Sequence, residues 1–440
     1  MAAGTFQGGM HPYDGKELSM DRHTSVLLPK KELVFPVSQH IGAPAVPVVS
    51  VSDTVLAGQK LAQATGYVSS CVISSVSGTV KAVEPRLTAA GGKVLSVVVE
   101  NDGEYRMAQG IGEPRDVSRL SKEEIRKIIQ EAGIVGMGGA GFPTHVKLTP
   151  KEDTAIDYVI VNGSECEPYL TSDYRMMLEE PKRLIAGLKI VLKLFERAEG
   201  IIAVEDNKPE AIAKVKEAIG TDSRISVRQL KTKYPQGSER QLIYAVTGRK
   251  INSSMLPSDA GCIVNNVDTI LSVGLAVAES TPLMRRVVTV TGSAIKEPGN
   301  FIVKTGSSYQ ELLEAAGGFC APVGKIISGG PMMGQALYSL DIPVTKVSSA
   351  LLVLTQEEAQ QLEPGACIRC GRCVSVCPGR IVPQKLMEYA QRFDTKGFEK
   401  IDGMECCECG CCTYVCPAGR KLTQSFKQMR RQVQEERRKK

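Results

Sequence analysis

Ten of the fourteen cysteines in this 440-residue chain fall between Cys367 and Cys416, and inside that window one spacing occurs twice. Cys367-Ile-Arg-Cys370-Gly-Arg-Cys373-Val-Ser-Val-Cys377-Pro378 reads C-x2-C-x2-C-x3-C-P. Cys406-Cys-Glu-Cys409-Gly-Cys-Cys412-Thr-Tyr-Val-Cys416-Pro417 repeats it. Secreted scaffolds spread their cysteines to staple separate loops, whereas a dense run at the end of a long chain points to metal ligation under reducing conditions. The first residues agree with that setting. Gly4, Gln7, Gly8, His11 and Asp14 supply neither a basic flank nor an apolar stretch, so no secretion signal is expected and the cytosol is the default address.

The doubled spacing is that of bacterial two-cluster ferredoxins, in which three closely spaced thiolates wrap one face of a cubane and the fourth crosses to the other cluster. On that pattern one 4Fe-4S cluster uses Cys367, Cys370, Cys373 and Cys416, and the second uses Cys406, Cys409, Cys412 and Cys377. Paired structural zinc sites are the alternative, because C-x2-C is also a zinc knuckle. Zinc ribbons, however, do not need four cysteines within eleven residues, twice, each run closing on Cys-Pro. Cys407 and Cys411 lie outside the spacing and read as packing residues. Cys71, Cys166, Cys262 and Cys320 read as buried small hydrophobes, with Cys166 a partial exception because it sits in an acidic motif.

Length and composition set the frame around the cluster. At roughly 100–200 residues per domain the chain holds two to four domains, and 42% apolar with 23% charged residues is the balance of a folded globular protein. No stretch approaches the ~20 apolar residues of a membrane span; the apolar window from Ile263 to Val277 carries Asn265, Asn266 and Asp268. Most of the net charge of +6 lies at the end, where Lys427, Arg430, Arg431, Arg437, Arg438, Lys439 and Lys440 face only Glu435 and Glu436. The body is nearly neutral, so nothing suggests nucleic acid. The basic tail is either a solvated helix end or a contact for anionic lipid or an acidic partner.

The texture of the chain changes several times. From Val46 to Glu100 short β-branched runs alternate with glycine turns, which reads as a small β domain. The spacing of Gly58, Gly66 and Gly78 resembles the lipoyl/biotinyl barrel-sandwich family, yet no lysine stands between Gly66 and Gly78 to carry a swinging arm. Ser121-Lys-Glu-Glu124 is a capping box opening a helix. A glycine loop follows, then strands at Asp157 to Val161 and Gly200 to Val204, and helices at Pro181 to Arg197 and Pro209 to Ile219, so this part is α/β. Arg286 to Gly292, Phe301 to Val303 and a helix from Tyr309 to Ala315 form a β-β-α unit that reads as a separate small domain. The expected division is residues 1–115, 116–285, 286–345, 346–426 and a tail at 427–440.

Gly136-Met-Gly138-Gly139-Ala-Gly141-Phe142-Pro143-Thr144 contains G-x-G-x-x-G, but it follows a helix instead of a strand, so it is not a Rossmann fingerprint. Its glycines still let backbone N–H groups approach an anion closely. A plain glycine turn is the alternative. Lys147 lies near enough in sequence to neutralise a phosphate, and the strand ending at Val161 delivers Asn162-Gly-Ser-Glu165-Cys-Glu167-Pro-Tyr. Tyr234-Pro-Gln-Gly237-Ser-Glu239 and Val264-Asn265-Asn266-Val-Asp268 come later.

Together these segments resemble the flavin-bearing, NADH-oxidising subunit of respiratory complex I and, more closely and over nearly the whole chain, the RnfC family of peripheral subunits of Rnf electron-transport complexes. His11-Pro-Tyr-Asp-Gly-Lys-Glu-Leu-Ser19, Gly139-Ala-Gly-Phe-Pro-Thr144, Glu165-Cys-Glu-Pro-Tyr169 and the two cysteine motifs carry the RnfC likeness. The resemblance implies a multidomain α/β architecture: a barrel-sandwich-like β domain, a complex I flavin-subunit-like domain, a β-grasp domain and a helical two-cluster ferredoxin-like domain. It implies FMN against Gly136, Gly138, Gly139, Gly141 and Lys147, with Asn162, Glu165, Tyr234, Gly237, Asn265 and Asn266 around it, and Phe142, Glu167 and Glu239 facing NAD(H). Ser164 stands where the complex I subunit usually has an aspartate. The implied partners are the membrane-embedded Rnf subunits and the ferredoxin-like B subunit, at the cytoplasmic side of the membrane, with ferredoxin:NAD oxidoreduction coupled to Na+ or H+ movement by those partners.

The cofactor set is chemically coherent. NADH yields two electrons together as a hydride, an iron–sulfur cluster accepts one, and a flavin handles both. Two other readings share the same features: a soluble cobalamin reductase of the propanediol-utilisation type, and a non-enzymatic electron wire or scaffold with a vestigial flavin site.

Overall fold

The structure is a computed structural model and describes residues 3–360 and 362–439. Its N-terminal part packs two antiparallel sheets face to face. Glu32–Pro36, Lys93–Asn101, Gly78–Leu87 and Thr54–Val55 make one, and Val46–Pro47, Lys60–Gln63 and Val72–Ile73 the other. β-branched and aromatic side chains suit such half-buried pleated surfaces, and Leu33, Phe35, Val55, Leu61, Val80, Val97 and Val99 fill the space between. Gly78 is obligatory, since its φ is 154° and a Cβ would collide with the Glu100 carbonyl. The hairpin tip after Gly66 docks on the next domain: a His145 ring nitrogen lies 3.0 Å from the Tyr67 carbonyl.

The α/β part is built on four parallel strands in the order Ile225–Leu230, Glu199–Glu205, Tyr158–Gly163, Cys262–Asn266. Such strands are covered on both faces and read as apolar runs. The expected capping box is formed, with Ser121 and Glu124 exchanging bonds at the start of Lys122–Glu131. The apolar window at Ile263 to Val277 becomes the buried strand Cys262–Asn266 and the buried helix Val267–Ala278, with the Asn266 side chain as N-cap. One helix is shorter than its periodicity suggests. Pro181–Leu192 stops before Arg197, because Arg224 donates from Nη2 to the Leu192 carbonyl at 3.1 Å and from Nε to the Ala198 carbonyl at 2.8 Å. Those bonds satisfy acceptors at and beyond the helix end, and Leu194 and Phe195 still pack in the core.

The β-β-α unit belongs to a larger sheet than expected. Six strands lie in the order Ser25–Leu27, Gly299–Lys304, Arg285–Thr291, Ala350–Thr355, Val323–Ser328, Gln335–Leu337. The Ala350 strand, buried from Ala350 to Val353, sits in the middle of this sheet although it lies past residue 345. The edge strand Ser25–Leu27 comes from the N-terminal segment. The edge strand lies 276 residues before its partner Phe301, a separation that leaves no local pattern, while the Ala350 strand pairs with Thr289 from beyond the expected boundary at 345.

The cysteine region is helical, and its repeat persists in the backbone. Arg369 and Glu408 both have positive φ (55° and 58°), as do Gly371 and Gly410 (77° and 84°), and each motif then enters a one-turn helix, Arg372–Ser375 and Cys411–Tyr414. Pro383–Gln391, Thr395–Lys400 and Leu422–Lys439 pack behind them around Leu386, Phe398, Leu422 and Phe426. The basic end is not a free tail from residue 427. Met429 and Val433 are buried, Arg430 pairs with Glu408 at 2.8 Å and Arg437 with Glu399 at 2.6 Å. Lys440 lies outside the described residues. Among the described residues no helix is long and apolar enough to cross a membrane.

Candidate functional site

In an open parallel sheet the order of strands reverses at one place, and the crevice beyond the carboxyl ends of the two strands flanking it is where ligands bind. Here the chain runs outward from Tyr158–Gly163 to the Glu199 and Ile225 strands, then returns to lay Cys262–Asn266 on the other side of Tyr158–Gly163. The switch point therefore lies between the Tyr158 and Cys262 strands. Their register pairs Asn162 with Asn266 at the carboxyl ends. The neighbouring Asn265 is 2% exposed and neither its amide nitrogen nor its amide oxygen has a partner. A buried amide left unbonded costs free energy, so this side chain fits a ligand that supplies both a donor and an acceptor.

The glycine loop closes over the same crevice. Its base is fixed by Gly136 N–H donating to the Phe142 carbonyl at 2.9 Å and Met137 N–H donating to Thr269 Oγ1 at 3.0 Å. Gly138, Gly139 and Ala140 are exposed at its tip. The glycines differ in what they are for. A Cβ at Gly138 would stand 3.0 Å from that of Asn266, and Gly141 has φ +73° with Val347 2.8 Å from a Cβ, so both serve the fold; a Cβ at Gly139 would meet nothing within 4 Å. Lys147 Nζ donates to the Val264 carbonyl at 2.8 Å and to Glu239 at 3.3 Å, which places its charge beside the middle of the Cys262 strand. Asn162 Nδ2 donates to the Gly237 carbonyl at 2.9 Å, and Gly237 N–H donates to Cys166 Sγ at 3.2 Å. Gly138, Lys147, Asn162, Gly237, Glu239, Asn265 and Asn266 thus come together from four separated segments. The donor set fits FMN: exposed backbone amides and an ammonium for a phosphate, amides for a polar ring edge.

Two expected residues are held by backbone amides. Glu165, with φ 47°, caps the helix Ser172–Glu179 by accepting from Asp173 N–H at 2.7 Å and Tyr174 N–H at 3.1 Å. Glu167, expected to face the nicotinamide nucleotide, accepts from Met332 N–H at 3.2 Å and Met333 N–H at 2.9 Å. Burial pushes Glu167 up to about 7. Phe142 is half-buried beside the loop. Sequence reasoning missed Asp173, which accepts from Asn266 Nδ2 at 2.6 Å and is pushed up to about 8 by burial and by the Glu165 carboxylate. It also missed Lys208, buried between Glu205 and the Ser164 carbonyl. Both stand in ordinary helix-start sequence, which carries no chemical signature.

The cysteines separate into two groups. Cys377 lines one cavity with Cys406, Cys409 and Cys412, and Cys407 and Cys411 stand in its wall. Burial pushes the Cys406 and Cys412 thiols up to about 12, so they are protonated at neutral pH unless a metal displaces the proton, as ligated cations do. Among the described residues no three His, Cys, Asp or Glu side chains converge as the ligands of a single metal ion. Cys367 and Cys370 are exposed, with Cys373 and Cys416 half-buried. The segment before the first motif meets the residues after the second, Gly365 N–H donating to the Ala418 carbonyl at 2.8 Å. Of the scattered cysteines, Cys71 and Cys262 are buried, but Cys320 is exposed. The cysteine region docks on the helix Glu239–Thr247, where Arg240 pairs with Glu405 at 2.8 Å.

Comparisons with known proteins converge on the same parts. Residues 4–104 match the RnfC barrel sandwich hybrid domain, 129–275 the Nuo51 FMN-binding domain, 287–336 the SLBB domain and 366–420 the 4Fe-4S dicluster domain. The chain is 45% identical over 436 residues to the C subunit of the Na(+)-translocating ferredoxin:NAD(+) oxidoreductase complex of Acetobacterium woodii, covering 99% of this chain and 98% of that one. It is 43% identical over 388 residues to the C subunit of the proton-translocating ferredoxin:NAD(+) oxidoreductase complex of Clostridium ljungdahlii, covering 88% and 85%. Among solved structures, a chain of an air-oxidized NAD+-reducing [NiFe]-hydrogenase shares the fold at TM-score 0.51 and 17% identity, over 73% of this chain and 68% of that one.

Proposed function

We propose that this chain, which belongs to the RnfC family of ferredoxin:NAD+ oxidoreductase subunits, handles NAD(H) and passes electrons between FMN and two 4Fe-4S clusters. Ion translocation, of Na+ or H+, falls to membrane-embedded partners, and the ferredoxin-like B subunit is a further partner. The observation that carries this reading is the adjacency of two unlike sites: the cradle at the switch point and the thiol cavity, with Tyr234 between them donating to the Cys409 carbonyl at 2.7 Å.

FMN, when bound, converts a two-electron hydride into single electrons. The chain's own residues bind and orient. Gly138 and Gly139 present backbone amides to the phosphate, with Gly136 and Gly141 shaping the loop against it and Lys147 as its counter-charge. Asn162, Asn265, Asn266, Tyr234 and Gly237 surround the ring, and Glu165 holds the wall by capping its helix. Phe142 and Glu239 flank the nucleotide side. The crossed ligand sets are Cys367, Cys370, Cys373 with Cys416, and Cys406, Cys409, Cys412 with Cys377. Anaerobically purified protein is expected to carry about eight iron and eight sulfide and one FMN per chain, by metal, sulfide and flavin analysis. Stoichiometric zinc with little iron would sink the reading.

The site of action is the cytoplasmic face of the membrane, with the basic helix end as one contact. Arg431, Arg438 and Lys439 are exposed, and each such residue near an anionic surface contributes ~1 kcal/mol. Replacing all three by glutamine should therefore lower membrane partitioning by roughly a hundredfold, and wild-type release should rise with salt because the attraction is screened. Deleting residues 428–440 is a poorer test, since it removes the buried Met429 and Val433. Unchanged association of the triple variant, with iron and flavin intact, would make the tail solvated charge only.

A further inference from the structure

We propose that Tyr234 is a positioning residue that couples the second cluster to the flavin pocket through its hydrogen bond to the Cys409 carbonyl; this rests on the function proposed above. Tyr234 is 2% exposed. Its hydroxyl donates to the Cys409 carbonyl at 2.7 Å, and its side chain packs in one cluster with Met10, Cys409 and Cys411. Three residues further along, Gly237 is bonded to Asn162 and Cys166 in the cradle. One short segment therefore has an end in each site.

The segment is held from behind. Tyr234 and Met10 exchange both backbone bonds at 2.8 Å, and Gly9 N–H donates to the Val376 carbonyl at 2.9 Å. Gly8, with φ +80°, passes so close to Cys377 that a Cβ would lie 2.7 Å from its carbonyl oxygen. The strap from Gly4 to Met10 thus pins Tyr234 and the crossover ligand together. A buried phenol must find an acceptor, and the one it has is the main chain of a cluster ligand. Outer-shell hydrogen bonds of this kind orient ligands and tune the metal group. The hydroxyl proton sets a positive partial charge beside the loop that would hold the second cluster, so it would favour that cluster's reduced state. Only an electron passes; no bond forms or breaks at Tyr234 and its proton stays.

The test uses the full chain purified anaerobically, comparing wild type, Tyr234→Phe and a protein with 3,5-difluorotyrosine placed at 234, which is a stronger donor of nearly the same shape. Iron, sulfide and FMN are counted first, and each cluster is then titrated by EPR. In Tyr234→Phe the reduction equilibrium of the second cluster should become about threefold less favourable, ~28 mV at 59 mV per tenfold for one electron. The difluoro protein should move the other way, and the first cluster should stay put. Loss of second-cluster iron with FMN retained also supports the proposal, because the bond then holds the loop itself. Identical potentials in all three proteins would overturn it, as would loss of FMN with both clusters at their wild-type potentials. Wild-type protein with iron but no flavin would instead defeat the proposed function, leaving the Tyr234 effect on the second cluster readable by itself.

Discussion

Cys377→Ala is expected to damage the cluster that is distant in sequence and to spare the one beside it. Cys377 closes the first motif, yet it lies in a cavity with Cys406, Cys409 and Cys412, while Gly379, two residues on, passes so close to Glu405 that a Cβ would lie 3.2 Å from its carbonyl oxygen. Losing its thiolate should abolish or alter the EPR signal of the second cluster, with up to about four of the eight iron lost. The signal of the cluster at Cys367, Cys370 and Cys373 should remain. Cys416→Ala should give the reciprocal result, because the chain after it pairs with the chain before Cys367. Selective loss of the sequence-adjacent cluster in either variant would refute the crossed ligand sets. The effect on function follows from place: the second cluster adjoins Tyr234 and the cradle, so the Cys377 variant should no longer reduce its first cluster from NADH.

What was legible in the chain was whatever left a short-range pattern. Ser121 and Glu124 specify a capping box by their separation alone, and the box is formed. The doubled cysteine spacing is matched by the backbone, where positive φ recurs at Arg369 and Glu408 and again at Gly371 and Gly410. The glycine loop was separable from a Rossmann turn because a helix precedes it, and the structure places it over a switch point that its own sequence does not encode. The illegible parts are long-range. Ser25–Leu27 pairs with Phe301–Val303, and nothing within either segment selects the other. The nucleotide-facing role of Glu167 comes from the family resemblance alone, and nothing in its own segment marks the two backbone amides it accepts from in a loop 165 residues away. The hydroxyl of Tyr234 reaches 175 residues along the chain to Cys409, and no periodicity marks such a contact. The basic end was misread in part for a related reason: charge counts alone do not register that Met429 and Val433 face a core.

Gly139→Val is expected to remove FMN while leaving the apoprotein as stable as wild type. The two halves of that expectation come from one observation: a Cβ at Gly139 meets nothing within 4 Å and the residue is exposed. The fold does not need a glycine there, and surface substitutions of this kind usually change stability by no more than about 0.5 kcal/mol. What the branched side chain does occupy is the space above the loop amides, where a phosphate has to come within hydrogen-bond reach. Gly138→Ala and Gly141→Ala are not equivalent tests, since the first presses on Asn266 and the second strains a left-handed residue against Val347. Lys147→Ala complements the valine variant from the side of charge. It removes a charged hydrogen bond worth about 1.5–3 kcal/mol and leaves the Glu239 carboxylate, its present partner, unpaired beside the anion. FMN should then bind roughly ten- to a hundredfold more weakly. Both variants should keep wild-type iron, because the clusters sit across the Tyr234 wall. Flavin content at the wild-type level in Gly139→Val, measured on protein with an unshifted melting temperature, would show that the loop is a plain glycine turn and that the cradle lies elsewhere.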